Sequence, residues 1–123
     1  MIKRIERPVE LKAVVLQREV GCGHIYVTIG HLGDFKPIEV QAKLGKAGGC
    51  SACSNEALGR AISIGLQCGV SSEEYTHTLI GLKCPSPGGF RKNAKGEMVR
   101  IESCADAIGL ALKEFMDAQG KIP

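Results

Sequence analysis

Tryptophan is absent from this chain, and only three phenylalanines and two tyrosines supply its aromatic rings. A core of stacked rings is excluded, so the interior must be built from Ile, Val, Leu and Ala. No apolar run approaches the roughly 18 residues that cross a bilayer as a helix, and no membrane partner is expected. The opening residues, Met1-Ile2-Lys3-Arg4-Ile5-Glu6-Arg7, lack the apolar stretch of a secretory leader, so a cytoplasmic address is expected. Neither sign of charge is in large excess: 16 Lys and Arg stand against 13 Asp and Glu, a formal net charge of +3. That balance is too mild for a dedicated nucleic-acid binder. The glycine patterns of a P-loop or a dinucleotide fold are missing. No carboxylate pair is set for acid–base work: Glu73 and Glu74 read as helix-start charges and Asp106 as a cap partner.

Glycine and cysteine are plentiful: 16 and six among 123 residues. The length fits one domain, read as a tail over residues 1–8 and a single domain over 9–119. In a reducing compartment six thiols read as ligands or redox groups rather than as a disulfide framework. The alternative for each is a small core residue.

Val9, Leu11, Ala13 and Val15 alternate as a strand should, and Gly21-Cys22-Gly23 breaks the pattern. Ile25, Val27 and Ile29 predict a second strand. The segment 30–34, with His31 as a turn residue, predicts a hairpin connection. Ile38, Val40 and Ala42 predict a third strand. Leu58, Ala61, Ile62, Gly65 and Leu66 change to helical spacing and predict a helix over 54–68, closed by Gly69. Ser71 with Glu74 opens a second helix, with Tyr75, Leu79 and Leu82 apolar, ending at Cys84-Pro85. Met98 to Ile101 reads as a short strand. Ser103 with Asp106 opens a last helix that places Ile108, Ala111, Leu112 and Phe115 on one face. The fold class expected is α+β: a small, mostly antiparallel sheet of three or four strands with three helices on one side.

Four cysteines fall at the junctions of these elements. Cys22 lies in a turn, Cys50 before a helix, Cys84 at a helix end and Cys104 at a helix start. Thiolates at helix starts are favoured by free N–H groups and the positive end of the dipole. Four of them would satisfy a tetrahedral zinc or an iron–sulfur cluster. Cys22, Cys50, Cys84 and Cys104 are therefore the candidate metal ligands, zinc first and iron–sulfur second. Two other readings stay open. Cys50 and Cys53 form a C-x-x-C pair suited to thiol–disulfide chemistry. Lys46, Gly48 and Gly49, with Arg91 and Lys92, could hold a phosphate-bearing ligand. His24 stands close enough to Cys22 in sequence to share its site, Cys68 reads as structural and His77 as a helix-surface residue.

Taken in order, the segments resemble the TSCPD domain, found at the C-terminal end of adenosylcobalamin-dependent ribonucleotide reductases and as free-standing proteins. The matching stretches are Gly21 to Thr28, Leu44 to Cys50, Glu56 to Ser63, Leu82 to Pro85 and Ser103 to Ile108. The family's Thr-Ser-Cys-Pro-Asp reads Glu102-Ser103-Cys104-Ala105-Asp106 here, and its Thr-Gly-Cys-Gly turn reads Val20-Gly21-Cys22-Gly23. The resemblance implies an accessory role beside a ribonucleotide reductase or another protein partner, with no catalytic centre of its own. Nothing in the sequence sets the oligomeric state, and an oligomer is compatible with it. More distantly, the chain is similar to iron–sulfur cluster assembly scaffolds. That likeness implies Cys22, Cys50 and Cys104 as ligands and Cys84 as a fourth. The Cys-Gly-Asp of those scaffolds reads Cys22-Gly23-His24 here.

Overall fold

The computed structural model describes residues 3–45, 49–92 and 95–119. Strands β1 (Lys12–Val20), β2 (Gly23–His31) and β3 (Pro37–Leu44) form an antiparallel meander in the order β1-β2-β3. Helix α1 (Gly49–Gln67) follows, then α2 (Ser72–Leu79), a hairpin of β4 (Phe90–Lys92) and β5 (Met98–Arg100), and α3 (Cys104–Gln119). The fold is α+β, and among the described residues β4 and β5 pair only with each other. The short strand expected at Met98 therefore does not extend the main sheet.

Alternation in β2 and β3 was a sound guide. Ile25, Val27 and Ile29, with Ile38, Val40 and Ala42, are almost wholly buried. Against them lies α3, whose Ala107, Ile108, Ala111, Leu112 and Phe115 complete the core. Burial of about ten such aliphatic side chains, each contributing roughly 1.5–3 kcal/mol, is what drives closure of this domain. β1 departs from expectation. Val9 is 97% exposed and precedes the strand, which instead runs on to Val20. Pairing with β2 turns Leu16 and Val20 inward, opposite Val27 and Gly23. Residues 9–15 alternate in sequence, but only the partner strand decides which part of that pattern is paired.

Helix α1 begins at Gly49, five residues earlier than its apolar spacing indicates. Cys50 and Cys53 therefore sit inside the first turns, both exposed. Its buried stripe is largely polar or small: Asn55, Gly59, Ser63 and Gln67 recur every four residues. The stripe serves the edge of β3. Gly59 lets the helix approach until an added Cβ would stand 2.9 Å from the Val40 carbonyl oxygen. The Ser63 hydroxyl accepts the Val40 N–H at 2.9 Å, and Gln67 donates to the Ile38 carbonyl at 3.0 Å. The outer edge of the sheet is thus capped by helix side chains rather than left open.

α2 ends at Leu79, capped by Ile80, instead of reaching Cys84. Leu82 is 48% exposed, and Gly81 turns the chain at a φ of 90°. His31, expected in a turn, is buried at the end of β2. It stacks on Phe35 and lies against Phe115, each with ring centroids 5.2 Å away.

Candidate thiol site

The site is built where the β1–β2 turn, the start of α1 and the start of α3 meet. Val20 pairs with Gly23, so Gly21 and Cys22 alone make the turn, and Gly23 supplies a φ of 119° that other residues rarely adopt. The loop 85–89 lies directly on this turn. A Cβ on Gly21 would overlap the carbonyl of Ser86, and one on Gly88 would overlap the backbone of Glu19 and Val20. Glycines at both positions are what allow the two backbones to touch, and the touch brings Cys84 to the same end of the molecule. Cys84 donates its backbone N–H to Glu102 at 3.2 Å and its thiol to the Ser86 carbonyl at 3.1 Å.

Cys104 is the first residue of α3. Its position is locked from both sides. Ser103 accepts the Asp106 N–H at 2.9 Å and donates to the Leu82 carbonyl at 2.6 Å. The buried Asp106 carboxylate accepts from the backbone of Gly81 and of Glu102, each at 2.8 Å. The expected cap is present, and its acid reaches one residue further back than a capping box does. It thereby ties the approach to Cys84 to the start of α3.

Two other thiols come near Cys104 here. The Cys104 thiol lies against that of Cys22 and close enough to Cys84 for their charges to oppose. Burial, followed by these two neighbours, pushes the Cys104 thiol above its ordinary value, while the amide of Asn55 pulls the other way. Cys22 also donates to the Ser51 hydroxyl at 3.5 Å. Cys50 is next to Ser51 in sequence but exposed. Among the described residues, no three His, Cys, Asp or Glu side chains stand together as a ready-made metal cage.

A profile of the TSCPD domain matches residues 2–116. The chain belongs to the TSCPD domain family. No curated protein and no solved structure matches it.

The remaining candidate residues of this TSCPD domain are dispersed. Cys68 follows α1 in a turn, half-buried near Tyr75, and Gly69 closes the helix at a φ of 102°. His24 is exposed, 3.8 Å from Glu19, and His77 is on the surface of α2. Lys46 and Gly48 lie outside the described residues, and Gly49 is the first residue of α1. Arg91 is drawn inward to Glu114, which also holds Arg18 at 2.5 Å, so it is committed to the protein. Lys92 stays exposed. No described helix is long and apolar enough to cross a membrane.

Two features escaped the sequence reading. Asn55 and Ser51 reach the thiols because they lie one helical turn apart on α1, in a stretch with no apolar rhythm to reveal the helix. The second is a cavity of about 480 Å³ away from the thiols, between α1, β3 and the N-terminal segment. Arg4, Arg7, Lys43 and Arg60 line it. Those cations come from three separate stretches of the sequence, so only the fold gathers them.

Proposed function

We propose that this TSCPD domain is an accessory module that holds a thiolate-bound metal and works beside a ribonucleotide reductase. Zinc is the first choice and an iron–sulfur cluster the second. The observation that carries the reading is the convergence of Cys22, Cys84 and Cys104 from three separate elements. Soft thiolates gathered in this way select zinc or iron–sulfur over hard cations. Cys50 is the fourth ligand. It lies one residue from Ser51, which touches Cys22, and the first turn of α1 needs only to bring it round. Binding therefore closes the site, and metal affinity is coupled to local folding. The reductase link follows from the family, and no catalytic centre is assigned.

Elemental analysis and a visible spectrum of protein purified without air test this. About one zinc per chain and no visible absorbance is expected. Serine substitution at Cys22, Cys84 or Cys104 should abolish uptake, and at Cys50 should weaken it. Iron with sulfide would select the cluster instead. No metal after reconstitution would leave thiol–disulfide chemistry, at Cys50 and Cys53, as the better account. Co-elution with an adenosylcobalamin-dependent reductase tests the partner.

The 480 Å³ cavity favours a second reading, a site for a phosphate-bearing ligand. Its four cations outnumber the carboxylates of Glu39 and Glu56 around it, and Lys43 forms no ion pair among the described residues. A thermal shift with tripolyphosphate that Lys43→Glu removes would support this reading.

A further inference from the structure

The cavity between α1, β3 and the N-terminal segment already contains a carboxylate of the protein's own. Glu39 stands in its wall with its side chain 15% exposed, and both oxygens are engaged. One accepts from the Arg7 guanidinium at 2.5 Å, the other from the Gln41 amide at 2.8 Å. The other cations are less committed. Arg4 gives its Nε–H to the Gln67 side chain at 2.6 Å and forms no ion pair among the described residues. Lys43 forms none either, and the Arg60–Glu56 pair is largely exposed and therefore weak. Arg4 and Arg7 are both carried by residues 3–11, which form neither helix nor strand. That segment is tied to the cavity wall by the Ile5 N–H, donated to the Gln67 carbonyl at 2.9 Å, and by the two arginines.

We propose that this cavity takes a di- or triphosphate chain and that Glu39 is its internal competitor, occupying Arg7 until the chain displaces it. The cations enter from three elements: Arg4 and Arg7 from the N-terminal segment, Lys43 from β3 and Arg60 from α1. A single phosphate meets the donors of one wall, whereas a chain of phosphates spans several. Arginine suits the exchange, because its planar fork binds carboxylate and phosphate in the same bidentate way. A chain with several negative charges attracts the Arg7 guanidinium more strongly than one carboxylate does. Once Arg7 has transferred, the N-terminal segment is fastened to the ligand instead of to β3. Glu39 has this role only if the cavity takes phosphate at all, as in the second reading above.

Calorimetric titration with tripolyphosphate and with orthophosphate, in about 0.15 M salt to screen distant charges, tests this. Tripolyphosphate should bind more tightly than orthophosphate, and equal affinities would overturn the ligand class. Glu39→Gln keeps the shape but releases Arg7, and should tighten tripolyphosphate by about ten-fold. Adding Arg7→Gln to that variant should remove the gain. Glu56→Gln takes the same charge from the same cavity without releasing the N-terminal segment, and should tighten binding by about two-fold at most. Equal gains in Glu39→Gln and Glu56→Gln would make Glu39 one charge among others and overturn the proposal. Affinity that Glu39→Gln leaves unchanged would overturn it as well, and in both cases the phosphate reading stands. Binding by the Glu39→Gln variant alone would support the proposal, with Glu39 holding the site shut. If neither protein binds tripolyphosphate, the proposal and the phosphate reading fall together.

Discussion

No side chain fits between Gly21 and the carbonyl of Ser86. Gly21→Ala should therefore push the loop 85–89 off the β1–β2 turn and carry Cys84 away from Cys22 and Cys104. Overpacking of this kind costs about 1–3 kcal/mol. Urea unfolding should register that loss. Metal uptake should fall further than stability alone explains, while Gly33→Ala, where nothing lies within 4 Å, should leave both unchanged.

Ser63 joins α1 to the edge of β3 through Val40. Ser63→Ala removes the acceptor of a buried N–H and should destabilise the domain by about 1–3 kcal/mol. Hydrogen exchange should accelerate first at Val40. Equal protection there in both proteins would show that the helix does not cap the strand.

Burial and the thiols of Cys22 and Cys84 raise Cys104 above its ordinary value of 9.0. The fold therefore favours the protonated form, and the unfolded chain releases its proton first. In metal-free protein stability is full below the ordinary thiol value and declines as pH rises through the higher folded value. Thermal unfolding between about pH 7 and pH 10 should show this decline, and Cys104→Ser should flatten it. A profile that Cys104→Ser leaves unaltered would assign the decline to other groups.

Glu114 holds both Arg18 and Arg91, linking β1, the β4–β5 hairpin and α3. The Arg91 guanidinium is lowered from its usual range by burial and by Arg18. Glu114→Gln leaves two half-buried cations facing each other. It should cost about 1–3 kcal/mol and loosen the hairpin. Proteolysis between Phe90 and Arg100 reads this directly, and high salt should partly restore resistance.

The sequence by itself determined the meander of β2 and β3, the apolar face of α3, the caps at Ser71 and Ser103, and the family. Each rests on local chemistry: a two-residue or 3.6-residue rhythm, a hydroxyl placed before a helix, or short motifs in a set order. Only the tertiary structure decided the start of α1, the end of α2 and the inward face of β1. In the first case Cys, Ser and Asn carry no apolar rhythm. In the second Gly81 outweighs Leu82, and in the third the partner strand fixes the register. The junction positions of Cys22, Cys84 and Cys104 were legible in the sequence, but the close approach that their loops make depends on two backbones touching at Gly21 and Gly88. Asn55 was the least legible residue. Hydrophobic periodicity marks what is buried for being apolar, and a buried amide on a helix stripe leaves no such mark.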